Sequence, residues 1–559
     1  MDTNARTNAP VALAYHQRTK HHVQRFAAGP ETLDWDAQPS PFRVWHGAPL
    51  VHMPLVADGL ETTWGQLHAP LASMRQPLSL DTLACLLELS FALTAWKQFG
   101  PDRWALRANP SSGNLHPTEV YVMAVGVAGL DDGLYHYEPL HHALACRARY
   151  AQQTQAGPEG GRLWVGLSSI QWREAWKYGE RAFRYCQLDV GHAMGALRYA
   201  AAALGWQAIS LEGWPHEALA ACMGLSREAD FGVAEREEPE MLIGVGWPMP
   251  GETVPPDITG ASWFGQAGLL DRRPMYRWPV IDEVTQATRL TAAAADVKLT
   301  GDGGKPSGCG EALQAVRQGE AAATIIRNRR SAQHFDKQAH MSRDSFDGIV
   351  RALLPTANLP WDAWPNEARV HPVLYVYRVN GMVPGVYALP RSPQGTSLLM
   401  QELRAATMWE KLWDAEPDGG GEWRATLWRL GEHEKLAGAL RQLSCHQAIA
   451  SDACFSLSLV AQFEASLDER ADAYRLLLQE AGLIGQALYL NAEAQGYRGT
   501  GMGCYFDDAV HHFLGIDGER VQVLYHFTIG VPLVDSRITM EPPYSHLAHL
   551  APLHDGDTT

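Results

Sequence analysis

Two adjacent arginines followed by a serine form a group that could hold an anion. The segment TIIRNRRSAQHFD places Arg329, Arg330 and Ser331 side by side. Guanidinium groups bind phosphate or carboxylate oxygens through paired hydrogen bonds, and a serine hydroxyl can add one more donor. The segment therefore indicates an anion-binding site, although an arginine pair before a helix is also common on solvated surfaces.

Two further segments combine glycine with small polar side chains. Hydroxyl and amide groups can satisfy the polar edge of a ligand without blocking it, and glycine lets backbone N–H groups approach closely. Both segments can also be ordinary turns, because Pro, Ser, Gly and Asn favour turns in any protein. The candidates are Pro110, Ser111, Ser112 and Asn114 in ANPSSGNLHP, and Gly501, Met502 and Gly503 in GTGMG.

The chain contains two degenerate copies of one unit. Two Ala/Leu-rich helical patterns, at 182–206 and 473–497, align without a gap. One such pair could arise by chance, but several blocks in the same order argue against chance. The other matched blocks are 78–91 with 341–354, where each begins as a capped helix, 110–125 with 365–379, and 241–248 with 524–532. Each copy mixes helices with strands, so we predict an α+β fold of two tandem domains.

The domain boundaries follow from the repeat and from composition. We expect an irregular N-terminal extension at 1–60, a first domain at 61–250, a second domain at 321–545 and a tail at 546–559. Residues 251–320 are rich in Pro, Gly, Ala and Asp, which indicates a linker or crossover with some helix.

Composition narrows the class of protein. The 559 residues carry a formal net charge of −16, which argues against a nucleic-acid partner. No apolar run reaches the roughly 18–20 residues that span a bilayer, and the N-terminus lacks an apolar signal core, so we expect a cytoplasmic protein with no membrane partner. The cysteines lack CxxC spacing and suggest buried or idle thiols. The histidine pairs lack the spacing of a helical metal site, so no metal is expected.

In this order and spacing, the candidate segments resemble motifs of the nitroreductase superfamily. RRSAQHF is similar to the RRSxRxF motif of that family, and PSSGNLHP is similar to PSSxNxQP. The segments 496–515 and 529–537 resemble the loop beside the flavin ring and the C-terminal strand with its basic residue. Residues 176–193 resemble the KYG-RAYRY-GH segment of SagB/ThcOx-type dehydrogenases, which oxidise azoline rings in ribosomal peptides. The resemblance covers about residues 60–250 and 320–540.

The resemblance implies one FMN site shared by the two copies, because single-domain members bind FMN between two subunits. The second copy would supply Arg329, Arg330, Ser331, Gly501, Met502, Gly503 and Arg537, and the first copy would supply Pro110, Ser111, Ser112 and Asn114. A second site would exchange the roles of the two copies. Residues 66–68, which would have to supply its cations, read Gln-Leu-His, and Glu367, in the repeat of the PSSGN segment, would repel a phosphate. We therefore expect one FMN per chain, in a monomer that acts as a pseudo-dimer.

On resemblance to the azoline dehydrogenases, Lys177 and Tyr178 are the candidates for removing a proton from the substrate. As a cation, Lys177 could lower the pKa of a nearby tyrosine, or its own pKa could fall on burial. The alternative is a salt-bridged helix edge. Asp468 and Glu469 occupy the matched positions of the second copy, so the fold does not require this pair.

Several other polar residues have structural interpretations. Arg184 and Arg475 occupy equivalent helix positions, which suggests structural ion pairs, and His192 is better explained as a satisfied buried histidine than as a catalytic one. Asp507 and Asp508 fall where a helix should begin, so capping explains them.

The sequence thus predicts an FMN-dependent oxidoreductase of the dehydrogenase or oxidase type. It would transfer hydride between a small organic or peptide-derived substrate and flavin N5. One alternative is an NAD(P)H-dependent nitro or quinone reductase. Another is a non-catalytic flavin- or peptide-binding module in a biosynthetic assembly.

Overall fold

The computed structural model describes residues 3–68, 75–154, 161–246, 255–291, 316–356, 358–415 and 423–550. Parts of the predicted linker (251–254 and 292–315) and of the predicted tail (551–559) lie outside the described residues. Among the described helices, none is both long and apolar enough to cross a membrane.

The helices fall in two series, one for each copy. The first series is α1 (Thr3–Arg18), α2 (Leu80–Ser90), α3 (Gln171–Tyr178), α4 (Ala182–Ala203), α5 (His216–Cys222), α6 (Glu228–Phe231) and α7 (Pro279–Ala287). The second series is α8 (Ala322–Asn328), α9 (Arg343–Arg351), α10 (Pro393–Glu402), α11 (Leu436–Leu443), α12 (Ala448–Asp452), α13 (Glu464–Glu469), α14 (Ala473–Ala494) and α15 (Asp507–Leu514).

The strands follow the same division. The first copy and its flanks contain β1 (Trp45–His46), β2 (Leu50–His52), β3 (Leu93–Phe99), β4 (Asp102–Arg107), β5 (Thr118–Val125), β6 (Gly133–Glu138), β7 (Ala143–Arg149), β8 (Arg162–Ser169), β9 (Gln207–Ser210), β10 (Glu238–Gly246), β11 (Ser262–Trp263) and β12 (Gln266–Ala267). The second contains β13 (His334–Phe335), β14 (Val370–Val376), β15 (Gly385–Ala388), β16 (Glu410–Asp414), β17 (Thr426–Glu432), β18 (Phe455–Gln462), β19 (Arg498–Met502), β20 (Val521–Gly530), β21 (Pro532–Leu533) and β22 (Thr539–Glu541).

Each copy builds one antiparallel sheet, and the two sheets share the order of six strands but differ in the origin of the edge strands β11 and β16. The first runs β11-β7-β6-β5-β8-β10-β9, with β2 also on β7, and the second runs β16-β17-β15-β14-β18-β20-β19. Strands β5 and β14 are buried along their whole length because both faces are covered. The α+β fold of two tandem domains is therefore confirmed.

The two long helices α4 and α14 form the centre of the molecule. Each has 22 residues and is buried on nearly every side, as expected for a helix that is apolar all round. They cross at Gly191 and Gly482, which are equivalent in the repeat. A Cβ at Gly191 would lie 2.0 Å from the Gln479 carbonyl oxygen, and one at Gly482 would lie 2.1 Å from that of Leu188. The copies therefore pack about a pseudo-two-fold axis within one chain.

Serine caps begin the matched helices α2 and α9, as the repeat predicts. The Ser79 hydroxyl accepts from the Thr82 N–H, and the Ser342 hydroxyl accepts from the Ser345 N–H. These caps fix the start of the same element in both copies.

The N-terminal extension is not irregular throughout, which corrects the sequence expectation. Helix α1 runs from Thr3 to Arg18 despite Pro10. Its buried His16 hydrogen-bonds to Tyr474 and Gln522 of the second copy. Tertiary packing therefore stabilises a helix that local propensity disfavours.

A hairpin of β3 and β4 distinguishes the first copy. Strand β3 also pairs with the C-terminal strand β22, so the end of the second copy packs on the first. This hairpin brings Lys97 and the residues before Pro110 toward the second copy.

Candidate functional site

A cavity of about 360 Å³ lies between the two copies, and we call it the composite cavity. It brings together candidate residues that are more than 200 positions apart in sequence. The predicted residues that line it are Pro110, Ser111, Ser112 and Asn114 from the first copy with Tyr178, and Arg329, Arg330, Ser331, Gly501, Met502 and Gly503 from the second. The volume lies in the ordinary range of small-molecule sites.

The two arginines are positioned by backbone carbonyls. The Arg329 guanidinium donates to the carbonyls of Ala108 (3.1 Å) and Arg107 (3.0 Å), and that of Arg330 donates to the Thr94 carbonyl (3.0 Å). Arg329 Nη1 and Arg330 Nε are buried without a hydrogen-bond partner. Among the described residues, no carboxylate forms an ion pair with either arginine. A buried cation and a partly buried one, each with a free buried donor, favour a bound anion that would balance them.

Lys97 adds a third cation to this end of the cavity. It lines the cavity beside the arginines, on strand β3. Burial lowers the pKa of Lys97, and the nearby Arg330 and Arg498 lower it further. Burial, together with the positive charges of Arg329 and Arg498, lowers the pKa of Arg330 to about 9. Each shift reflects first the burial of a cation and then the repulsion between cations, and a bound anion would offset both.

The serine turn is held by a carboxyl group from the central helix α4. Ser112 donates its N–H (3.0 Å) and its hydroxyl (2.9 Å) to Asp189 Oδ1. Burial raises the pKa of Asp189 to about 7, although the serine hydrogen bonds oppose the change. Gly113 adopts φ +58°, and a Cβ there would lie 2.5 Å from the Tyr178 hydroxyl. Glycine is therefore required where the turn passes Tyr178.

The glycines of β19 allow aromatic rings to approach the backbone. A Cβ at Gly501 would lie 1.7 Å from the Tyr525 hydroxyl, and one at Gly503 would lie 2.0 Å from the Tyr185 ring. Tyr489 accepts from the Gly501 N–H (3.0 Å) and hydrogen-bonds to the Ser331 hydroxyl (2.8 Å). One tyrosine of α14 therefore links the arginine–serine segment to the glycine strand.

Tyr178 and Lys177 differ in their access to the cavity. Tyr178 lines it, whereas the Lys177 ammonium does not, and lies 5.4 Å from the Tyr178 ring centroid and 5.6 Å from that of Trp35. Burial raises the pKa of Tyr178, and the neighbouring Glu174 raises it further. Burial lowers the pKa of Lys177. The sequence left two possible bases, a tyrosine whose pKa is lowered by Lys177 or Lys177 with its own pKa lowered. The surroundings favour the second, because they raise the pKa of Tyr178 and lower that of Lys177.

Arg537 lies outside the composite cavity, contrary to the sequence expectation. Its side chain is exposed and donates to Asp535 (2.7 Å). The chain turns after β21 and carries the residue to the surface, so a contact inferred from its place after the strand does not form.

The structure corrects one further expectation and confirms two. Asp507 does not cap α15; it is fully buried and pairs with Arg181 and Arg184 at 3.2 Å each. Arg184 is therefore in a structural ion pair, as predicted, and Arg475 pairs with Glu238 and Glu240. His192 is buried, as predicted, and it hydrogen-bonds to Tyr525 and Gln486.

Several lining residues were missed by sequence reasoning: Lys97, Tyr185, Asp189, Gln447, Tyr489, Cys504 and Tyr525. Asp189 offered one usable signal, because the repeat matches it with another carboxylate, Glu480. Lys97 offered none, since it lies on a hairpin that the second copy lacks.

Comparison with known proteins identifies the family of both copies. The model of the nitroreductase family matches residues 74–247 and 326–531. A nitroreductase-like protein from Anabaena variabilis has the same fold, with a TM-score of 0.65 and 20% identity over 94% of this chain and 99% of that one.

Three curated relatives match shorter stretches. The chain is 26% identical over 147 residues to a nitroreductase-like protein of Methanocaldococcus jannaschii. This match covers 24% of this chain and 69% of the relative. It is 31% identical over 150 residues to the trifolitoxin-processing protein TfxB of Rhizobium leguminosarum bv. trifolii, and 35% identical over 136 residues to indigoidine synthase of Dickeya dadantii. These matches cover 24% and 23% of this chain, and only 39% and 8% of the two relatives. On the match of the family model to both copies, the chain belongs to the nitroreductase family.

Proposed function

We propose that the protein is an FMN-dependent oxidoreductase of the dehydrogenase or oxidase type, with one composite flavin site per chain. It would transfer hydride between a small organic or peptide-derived substrate and flavin N5. One observation carries the proposal: Arg329 and Arg330 present buried, unpartnered N–H groups to a cavity whose other wall is the Ser111–Asn114 turn.

The residues present fit the cofactor. Arg329, Arg330 and Lys97 would hold the phosphate, because guanidinium and ammonium groups bind its oxygens and no carboxylate of the described chain competes for the arginines. Ser112 and Asn114 would face the polar edges of the cofactor, with the turn already fixed by Asp189. The glycines of β19 would allow the flat ring to lie against the backbone.

Bound FMN would supply the two-electron hydride chemistry, and the chain would supply position and proton transfer. Tyr178 would contact the substrate, since it lines the cavity and its raised pKa keeps the phenol protonated at neutral pH. Lys177 would act through Tyr178 as a positioning and proton-accepting group, because burial lowers its pKa.

The proposed substrate class is supported by the KYG segment and by two relatives. One relative is named a trifolitoxin-processing protein and the other an indigoidine synthase. Both names describe the making of a specialised product, so we propose a comparable biosynthetic substrate here. The chain covers only part of each relative, so the proposal extends to the substrate class and not to the whole activity.

Cofactor binding is the first experiment. The protein is expressed with added FMN, purified and heated, and the absorbance of released flavin is compared with protein concentration. We expect one FMN per chain, and the variant Arg329→Gln should lose it while its thermal unfolding remains cooperative. Absence of flavin from the supplemented protein would refute the proposal, and two FMN per chain would refute the single composite site.

The direction of electron flow is the second experiment. The FMN-loaded protein is mixed anaerobically with NADH, NADPH or a thiazoline-containing peptide, and flavin bleaching is followed at 450 nm. Bleaching by the peptide supports a dehydrogenase, whereas rapid bleaching by NAD(P)H alone supports the reductase alternative. Tyr178→Phe and Lys177→Met should slow bleaching by the peptide without loss of FMN, and Asp468→Ala and Glu469→Ala are the matched controls. Equal rates in all variants would contradict the roles of Tyr178 and Lys177, and absence of bleaching by every donor would favour a non-catalytic module.

A further inference from the structure

Two cysteines lie side by side at the edge of the composite cavity, and one of them, Cys504, lines it. Cys445, in the loop between α11 and α12, has its Sγ 2.7 Å from the Sγ of Cys504, which follows β19. Cys504 lines the cavity, and both side chains are partly exposed, whereas Cys186 and Cys454 are buried. A disulfide bond is about 2.05 Å long, so a small approach would join the two sulfurs. No local pattern in the sequence indicates this pair, because its members lie far apart in the chain.

The surrounding backbone holds the two loops together. The Phe506 N–H donates to the Leu443 carbonyl (2.8 Å), and the Gln447 side-chain amide donates to the Cys504 carbonyl (3.0 Å). Cys445 and His446 adopt φ +52° and +61°, a conformation that is uncommon outside glycine. A residue keeps such a conformation where the surrounding packing holds it, so the fold itself places the Cys445 loop against Cys504.

The two thiols have unequal surroundings. The contact with Cys445 lowers the pKa of Cys504, and His21 and the positive charge of Arg181 lower it further. The same contact raises the pKa of Cys445, and burial raises it further. Cys504 is therefore the thiol that ionises more readily, and Cys445 is the thiol that can follow it.

We infer that Cys445 and Cys504 form a reversible dithiol–disulfide couple that reacts with low-molecular-weight disulfides entering the composite cavity. The Cys504 thiolate attacks one sulfur of the external disulfide, which forms a mixed disulfide and releases one thiolate. The Cys445 thiol loses its proton and attacks Cys504 Sγ, which closes the internal disulfide and releases the second thiol. The external disulfide is reduced by two electrons, and the protein dithiol is oxidised by two. This thiol reaction does not involve flavin, so an experiment can refute it without refuting the proposed function.

The test uses the full-length protein, both as purified without FMN and loaded with FMN. It is equilibrated with reduced and oxidised glutathione at a series of ratios, quenched with acid, alkylated and mapped by mass spectrometry. We expect the loss of two alkylatable thiols together, with the Cys445 and Cys504 peptides joined and no lasting glutathione adduct. Both thiols remaining free in excess oxidised glutathione, or a stable adduct on the wild-type protein, would overturn the inference.

Single variants separate the two roles. Cys445→Ser should accumulate a glutathione adduct on Cys504, because no second thiol can displace it. Cys504→Ser should react with oxidised glutathione at least about ten-fold more slowly, since the remaining thiol is protonated. The buried Cys454→Ser should behave as the wild type. Equal reaction rates in Cys445→Ser and Cys504→Ser would contradict the assignment of the attacking thiol.

Discussion

The composite cavity and its pseudo-two-fold counterpart have the same fold but opposite electrostatics. The counterpart cavity is lined by Ser210, Glu212, Asp472, Arg475 and Gln479, and its volume is about 40 Å³ against about 360 Å³. Glu212 aligns in the repeat with Gly503. Both copies therefore keep the same fold, but only one of these two equivalent positions keeps a large cavity.

Charge pairing explains the difference. Arg475 pairs with Glu238 (2.8 Å) and Glu240 (2.7 Å), and Arg470 pairs with Asp472 (2.6 Å). An arriving phosphate would have to break pairs that are already satisfied, at a cost of several kcal/mol. In the composite cavity, Arg329 and Arg330 contact carbonyls and keep N–H groups free. An anion site here thus requires carboxylates to be absent as much as arginines to be present.

The largest expected effect concerns matched carboxyl groups on the crossing helices. Burial raises the pKa of Asp189 to about 7 from an ordinary 3.8, so the folded protein binds more protons than the unfolded chain between these values. The free energy of unfolding therefore falls as pH rises from about 4 to 7. Asp189→Asn should remove that fall and stabilise the protein at pH 7 by roughly 2–4 kcal/mol, because the amide oxygen still accepts from Ser112.

Glu480 should respond differently to the loss of its charge, although burial raises its pKa as well. It forms a buried ion pair with Arg391, so Glu480→Gln leaves that cation uncompensated and should destabilise the protein by about 3–5 kcal/mol. Urea unfolding at several pH values measures both variants. Destabilisation of similar size in both would show that the two carboxyl groups have equivalent roles.

The next effect compares arginines of the two cavities. Arg330→Ala should weaken FMN binding by roughly 10–100-fold, because a hydrogen bond to a charged group contributes about 1.5–3 kcal/mol. Arg470→Ala, beside the counterpart cavity and paired with its Asp472, should leave the affinity unchanged. Quenching of FMN fluorescence gives both dissociation constants, and thermal unfolding without FMN checks that each variant is folded. An equal loss in both variants would remove the functional distinction between the cavities.

Gly503 tests the steric side of the comparison. Gly503→Ala should weaken FMN binding by about ten-fold, because the new Cβ would lie 2.0 Å from the Tyr185 ring and force it to move. Leu476 occupies the matched position of Tyr185, so adding Tyr185→Leu should restore part of the affinity by making space. FMN titration of the single and double variants measures the coupling, and no recovery in the double variant would argue against this clash.

The smallest effect concerns Lys97 and pH. A bound phosphate favours the protonated form of Arg330, whose pKa is lowered to about 9, so FMN affinity should hold below this pH and fall above it. Lys97→Met should weaken binding by about five-fold at pH 7, the size expected for one partly exposed charge. Titrations from pH 7 to 10 measure this, and the control Arg330→Gln should show a smaller decline. If Lys97→Met leaves the FMN affinity unchanged, Lys97 does not contribute to phosphate binding.

The sequence predicted much of this architecture because each signal was local or repeated. The alignment of 182–206 with 473–497 identified two helices of equal length, and Ser79 and Ser342 marked matched helix starts. The Arg-Arg-Ser, Ser-Ser and glycine segments were found by residue type and all line one cavity. The prediction that Arg537 lines the site was wrong, because its position after a strand does not determine the direction in which the chain then turns.

By itself, the sequence determined the duplicated α+β fold and the residue types of the candidate site, because hydrophobic period, caps and repeats are encoded along the chain. Only the tertiary structure decided which charges are neutralised and which are free, since ion pairs such as Arg475–Glu240 join distant segments. It also decided that Lys97 and Cys504 face the composite cavity. Burial and pairing depend on the packing of both copies around α4 and α14, which no local pattern specifies.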